Sequence, residues 1–380
     1  MSRVTILYDG WPLVYQPNQP AALHLLALLE HHPADIPAAV ALPGEPAFAL
    51  PREVEVHRAA ARLGDFELLA WEQRTLLQLA EALHARLVHR TMGGPALLGA
   101  RKALISPAEF GAGGWFKNGA RSRGSARRHG SLAARLRQAA IPGGMGRARG
   151  LVWPTDLPPL NMDVPVFSLP PVVPRVFWDA GPRQSSPQRL ELPQAFILYH
   201  GPYAWRDLRR MLDAWSWAAG SIGEDFPLVV LGLNDAVQNS LRSLAQEYGL
   251  VGTVRALPAL ALDDLAAVYR GCSALLHAAP VAPWGGPLRL ALACGKPVVG
   301  LEDRLSDALV GSAAYLVGKG DTWQANSRAL GAALVTVMVE ASVADSLAAQ
   351  AYQRAVEWKT SDPANFTQHL RAVYQLLAVS

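Results

Sequence analysis

Short apolar runs alternate with amphipathic stretches along the whole chain. Val4–Tyr8, Ala38–Leu42, Arg86–His89, Ala103–Ile105 and Gly150–Trp153 have the length and apolar content of buried parallel strands. Between them, Ala21–His31 and Trp71–Ala85 carry apolar residues at helical spacing, as in Leu76, Leu79, Ala80 and Leu83. Strands alternating with helices predict βαβ units and a parallel sheet. A proline-rich stretch from Val172 to Pro193, with Ser185 and Ser186, reads as a linker.

A second alternation follows. Phe196–Tyr199, Leu228–Leu231, Thr253–Leu257, Cys272–His277, Pro297–Val299 and Tyr315–Val317 predict strands. Helices are predicted over Arg206–Trp217, Asp235–Tyr248 and from Asp263, as cap, to Arg270, with three more after Val317. Leu208, Met211, Leu212 and Trp215 fall on one face of the first of these. The pattern predicts an α/β protein of two Rossmann-like halves.

At 380 residues and 51% apolar content the chain can build two ordinary cores without staples. No apolar run reaches the length of a membrane span, and MSRVTILYDG reads as a first buried strand, not a signal peptide. The two cysteines, Cys272 and Cys294, sit in apolar contexts and lack metal-ligand spacing, which predicts reduced thiols in a cytoplasmic protein. The net charge of +4 is unevenly spread: nine Lys or Arg and no acid lie between Phe110 and Thr155. That block, Lys117 to Arg149, fits an anionic partner, whether a membrane surface, a polyanion or a phosphorylated acceptor, or a solvated basic loop. No nucleic-acid partner is expected. His24, His31 and His32 lie on or beside one helix, and no metal site is expected there.

The most informative segment runs from His277 to Gly300, HAAPVAPWGGPLRLALACGKPVVG. It reads as strand, loop, helix, tight turn, strand, with Pro287 in a first helical turn and Gly295 ending the helix. Backbone N–H groups at a helix start suit a phosphate. No Asp or Glu lies between Asp264 and Glu302, so a site here lacks a carboxylate of its own.

This arrangement resembles the donor-sugar motif of the group 1 (family 4-like) retaining glycosyltransferases of GT-B fold. Trp284-Gly285 stands at the family's Phe-Gly, and Pro287, Ala291, Ala293-Cys294-Gly295 and Pro297-Val298-Val299 match the rest. The two glutamates of the family's E-x7-E fall on Ala282 and Leu290. The resemblance spans nearly the whole chain. Gly201 and Arg206 match the glycine and basic residue that open the donor domain, with Asp207 at the usual Asn and Pro202 where many members have a second Arg. The loop from Ala256 to Pro258 stands where the base is bordered. Asp307 stands at an acidic place of the family, and Ser106 where a histidine faces the sugar. The loop Gln16–Pro20 replaces a glycine-rich loop.

The resemblance implies two Rossmann-like domains facing a cleft. Residues 1–172 form the acceptor-side domain, 173–193 the linker, 194–360 the nucleotide-sugar side, and 361–380 a helix returning to the amino-terminal domain. It implies a nucleotide sugar or nucleoside diphosphate as ligand, with no metal or other cofactor. The donor contacts implied are Gly201, Arg206, Leu257, Trp284, Gly285, Gly286 and Pro287, with Pro17 and Asn18 on the acceptor side. No catalytic group is assigned, since Ser106, Ala282 and Leu290 replace ionisable family residues. Two readings stay open: a hexosyltransferase with weak or lost activity, or a non-catalytic GT-B partner or regulator. A dehydrogenase is disfavoured, because no G-x-G-x-x-G follows a first strand. The expected location is cytoplasmic, or peripheral to the inner membrane face.

Overall fold

The computed structural model describes residues 5–92, 98–108, 131–157, 160–178, 190–278, 282–284, 286–302 and 309–379. They form two compact units. The first comprises 1–174, 282–285 and 361–380, and the second 175–281 and 286–360.

The first unit holds a seven-stranded parallel sheet, β1 Ile6–Asp9, β2 Ala38–Leu42, β3 Glu55–Arg58, β4 Leu87–Arg90, β5 Ala103–Ile105, β6 Gly150–Pro154 and β7 Val166–Leu169, in the order β3-β2-β1-β4-β5-β6-β7. The second holds a six-stranded parallel sheet, β8 Ile197–Tyr199, β9 Leu228–Leu233, β10 Val254–Pro258, β11 Ala274–His277, β12 Val298–Leu301 and β13 Ala314–Val317, in the order β10-β9-β8-β11-β12-β13. In each sheet the winding reverses once, between β1 and β4 and between β8 and β11. Such reversals open a crevice at the carboxyl ends of the two strands.

The central strands are buried on both faces, which their continuous apolar sequences require. In the second unit the helix Trp205–Ile222 turns Leu208, Met211, Leu212 and Trp215 inward, where they meet Leu330, Leu334 and Val337 of the helix Trp323–Val339. A side chain at Gly331 would come within 2.3 Å of Trp217 Cβ and 2.9 Å of the Ala214 carbonyl. Glycine is what lets these two backbones approach.

Several elements differ from the sequence expectation. β3 is an exposed edge strand of polar sequence, so it shows no apolar run. The helix Leu132–Met145, with Pro142 inside it, falls where no element is predicted. The predicted Trp71–Ala85 helix begins at Asp65 and passes through a π-helical turn, Trp71–Thr75. Asp263 lies in the first turn of Leu262–Gly271 but does not cap it; Ala261 holds the cap position and no side chain bonds there. After β13, two helices rather than three are seen among the described residues, Trp323–Val339 and Ala341–Val379. Among the described residues no single helix is long and apolar enough to cross a membrane.

Candidate functional site

In the second unit, β8 ends at Tyr199 and β11 at His277. Their register pairs Ala274 with Ile197 and Leu275 with Leu198, so continuing it sets His277 opposite His200 at the crevice. Both histidines are buried, and His200 Nδ1 lies 2.6 Å from the Tyr269 hydroxyl. The chain then turns through Gly201, whose φ of +72° is strained for any residue with a Cβ. That turn starts the helix Trp205–Ile222, whose first turn is capped by no side chain. Its uncapped N–H groups and the positive end of its dipole suit an anion. Arg206 sits in this first turn, half exposed, 4.0 Å from Asp207. Burial raises the Asp207 carboxyl, against the opposing pull of Arg206 and Arg210.

Gly286 leads into the helix Pro287–Ala293 after β11, with Pro287 in its first turn as the sequence indicates, and Gly295 ends that helix at φ +64°. Gly201, Arg206, Gly286 and Pro287 thus gather at the carboxyl edge of the second sheet. Leu257 is buried on the outer strand β10. Leu290 is wholly buried, as is Arg289, whose guanidinium lies 5.4 Å from the Trp358 ring. Leu290 is therefore part of the core, and a carboxylate there would need its neighbours rebuilt. Both cysteines are free, and burial pushes each thiol up to about 12, which leaves them unreactive. Gly285, Asp307 and the basic residues Lys117 to Arg128 lie outside the described residues.

Trp284 requires a correction. A donor-stacking indole must present a face, yet Trp284 is wholly buried in the first unit. Its ring stacks on His24 at 4.7 Å, meets Phe366 edge-on, and donates its N–H to the Val152 carbonyl. Of the two residues expected on the acceptor side, Pro17 is half-buried, and Asn18 is buried just before the helix Pro20–Glu30.

The equivalent crevice of the first sheet is filled by its own side chains. Asp9, at the end of β1, accepts from the Trp11 amide, the Trp71 indole and Arg90 Nε at 3.1 Å. Arg90, at the end of β4, also reaches Glu72, which Arg137 holds from the other side with two bonds of 2.9 Å. Burial works to raise the Glu72 carboxyl, but the two guanidiniums hold it below its ordinary value. Glu72 reaches inward from the π-helical turn, a local widening that re-aims a side chain.

Behind them runs a directed hydrogen-bond chain. The Ile36 carbonyl can only accept, so His32 donates to it from Nε2 at 2.7 Å and accepts at Nδ1 from Tyr8 at 2.8 Å. Tyr8 then accepts from Tyr374 at 2.7 Å, Tyr374 accepts from His89 Nδ1 at 2.6 Å, and Ser106 donates to His89 Nε2 at 2.8 Å. Burial keeps both histidines neutral, which the chain needs, and pushes His89 down to about 3. Ser106 is committed to this buried network. Sequence reasoning missed Asp9, Glu72, Arg90 and Tyr374, because each is a single polar residue in an apolar or helical run. Among the described residues no group of three or more His, Cys, Asp or Glu could hold a metal ion.

Residues 184–334 match the family of glycosyl transferases group 1. No curated protein shows a significant sequence match. Among solved structures the chain is similar to sucrose-phosphate synthase from Thermosynechococcus elongatus, at 17% identity over 100% of both chains and a TM-score of 0.70. It is also similar to WaaG, a glycosyltransferase involved in lipopolysaccharide biosynthesis, at 15% identity over 98% of this chain and 99% of that one, TM-score 0.66. Anabaena HepE, solved with UDP, is similar at 16% identity over 98% and 100%, TM-score 0.61. The family match thus lies largely in the second unit, and the two Rossmann-like parallel sheets give the chain the GT-B fold of these glycosyltransferase structures.

Proposed function

We propose that the chain binds a nucleotide sugar, through its diphosphate, at the carboxyl edge of β8 and β11. The observation that carries this reading is the left-handed Gly201 turn delivering an uncapped helix start and a half-exposed Arg206 to the sheet reversal. HepE, solved with UDP and with UDP-glucose, supports the ligand class. The guanidinium of Arg206 would hold phosphate oxygens and offset charge on a leaving diphosphate. No metal is needed in this reading.

We also propose that sugar transfer is slow or absent. Leu290 stands at the place of the second motif glutamate, which in the resembled family contacts the donor ribose, so the ribose hydroxyls would lack a charged acceptor, a loss of about 1–3 kcal/mol in donor binding. Ser106, in the place of a sugar-facing histidine, is already bonded to His89. The same two residues favour the second reading, a non-catalytic partner of an active enzyme. Thermal-shift and turnover assays with UDP-glucose, GDP-mannose and ADP-glucose separate them. Stabilisation with measurable transfer supports the enzyme, and stabilisation without transfer supports the partner. Absence of stabilisation by every nucleotide sugar contradicts donor binding.

A peripheral attachment to anionic membranes is proposed on the first unit. Leu132 and Leu136 are 73% and 55% exposed on one face of their helix, with exposed Arg135 between them. Ser131 donates to Asp65 at 2.6 Å, next to Phe66, itself 72% exposed. Arg135 and Arg147 are exposed and no acid lies between Ser131 and Gly150, each of these two contributing about 1 kcal/mol near an acidic bilayer. Flotation with phosphatidylglycerol vesicles should show binding that salt weakens and that Leu136→Asp reduces. Equal flotation with neutral vesicles contradicts the electrostatic part.

A further inference from the structure

The second unit has a cavity of about 390 Å³ on its helical face, within the size range of small-molecule sites. It lies between the middle of the helix Trp205–Ile222 and the start of the helix Trp323–Val339. Its walls are two indoles, Trp217 and Trp323, with the side chains of Asp213, Ser216, Gln324 and Ser327 among them. Trp217 lies eleven residues beyond Arg206, or about 16 Å along the helix axis. The cavity is therefore separate from the proposed donor position and does not depend on it.

The wall is ordered in advance. Asp213 accepts from Trp323 Nε1 at 2.8 Å through one oxygen and from the Tyr248 hydroxyl through the other. Each oxygen keeps a further lone pair for a donor in the cavity. Arg210 lies 5.0 Å from the Trp323 ring and Arg328 5.4 Å from the Trp217 ring, so both indoles are held by a cation. Trp217 is nonetheless 54% exposed. Its exposed ring surface is open to a ligand in the cavity.

This combination selects a ligand. Ser216 and Ser327 already donate to the Asp213 and Gln324 carbonyls, but a purely apolar molecule would leave the remaining lone pairs of Asp213 and of the two hydroxyls unused. An anion would face Asp213. A neutral pyranose meets both demands: its C–H face lies flat on an indole, and its hydroxyls donate to Asp213 and exchange bonds with Gln324 and the serines. We propose that this cavity is a carbohydrate-binding subsite for a neutral hexose unit of a glycan.

The test is saturation-transfer difference NMR on the full chain, with methyl β-D-glucopyranoside, cellobiose and maltotriose as probes. Each is used at roughly ten times a millimolar dissociation constant. Transfer to ring protons is expected for at least one probe, unchanged by saturating UDP. Trp217→Ala should reduce it at least tenfold with the circular dichroism and melting temperature retained, and Trp217→Phe should restore part of it. If Trp217→Ala does not stay folded, Gln324→Ala, on an exposed side chain, serves instead and should weaken transfer several-fold. No transfer from any probe, transfer indifferent to both variants, or transfer abolished by UDP would overturn the proposal.

Discussion

The carboxyl edges at β1/β4 and at β8/β11 hold equivalent places in their sheets, and they are finished in opposite ways. At β1/β4 the strand ends carry Asp9 and Arg90, and Glu72 and Arg137 complete a buried network with Trp11 and Trp71 around it. Its charges are already compensated, so a ligand would have to displace partners that cost several kcal/mol to strand. At β8/β11 the ends carry His200 and His277, followed by a left-handed glycine and an uncapped helix start. There the helix start carries no side-chain cap. The same winding thus yields a self-filled crevice in one unit and an anion-ready one in the other. What separates them is which residues stand at and just beyond the strand ends.

The largest effect should come from breaking the filled crevice. Arg90→Ala leaves Asp9 and Glu72 buried without their shared cation and should cost about 3–5 kcal/mol, read as a lowered melting temperature of the first unit. Acid should act on the same region. His89 is held near 3 in the fold against about 6.5 unfolded, so the unfolded chain binds more protons between those values. Glu72 is depressed, so its contribution is present above the ordinary carboxylate value and fades below it. Stability of the first unit should therefore fall as pH drops from 6.5 towards 3, followed by urea melts across that range. A flat profile would show that these groups titrate alike in both states.

Leu290→Glu comes next. In a surface motif it would restore the donor contact, but in the core seen here it buries a charge and should destabilise by roughly 3 kcal/mol or more. Tighter nucleotide-sugar binding at unchanged stability would mean the side chain can reach the crevice. Gly201→Ala is smaller, about 1–2 kcal/mol, since its φ of +72° is left-handed and the new Cβ would press on the Tyr203 ring at 3.3 Å. Loss of UDP binding in a folded Gly201→Ala chain would tie the turn to the ligand.

Much of this architecture was legible in the sequence. Buried parallel strands such as Ala274–His277 announce themselves as apolar runs, and Pro287 and Gly295 mark their helix at both ends. What stayed hidden depends on tertiary context. Glu55–Arg58 gains its strand from pairing with β2, not from its side chains. Leu132–Met145 is helical although Pro142, Gly143 and Gly144 fall within it. Trp284 and Leu290 occupy motif positions, but motif position does not reveal whether a side chain faces the crevice or the core. Asp9 and Arg90 are separated by 81 residues and meet only because β1 and β4 pair.

The most direct test of the contrast between the two edges is calorimetric titration of UDP into the wild-type chain, Arg206→Ala and Arg137→Gln. The account predicts saturable binding to wild type, about tenfold weaker binding to Arg206→Ala, roughly the loss of one charge-assisted hydrogen bond, and unchanged affinity in Arg137→Gln. Binding indifferent to Arg206 but lost in Arg137→Gln would place the ligand at the other edge and contradict it.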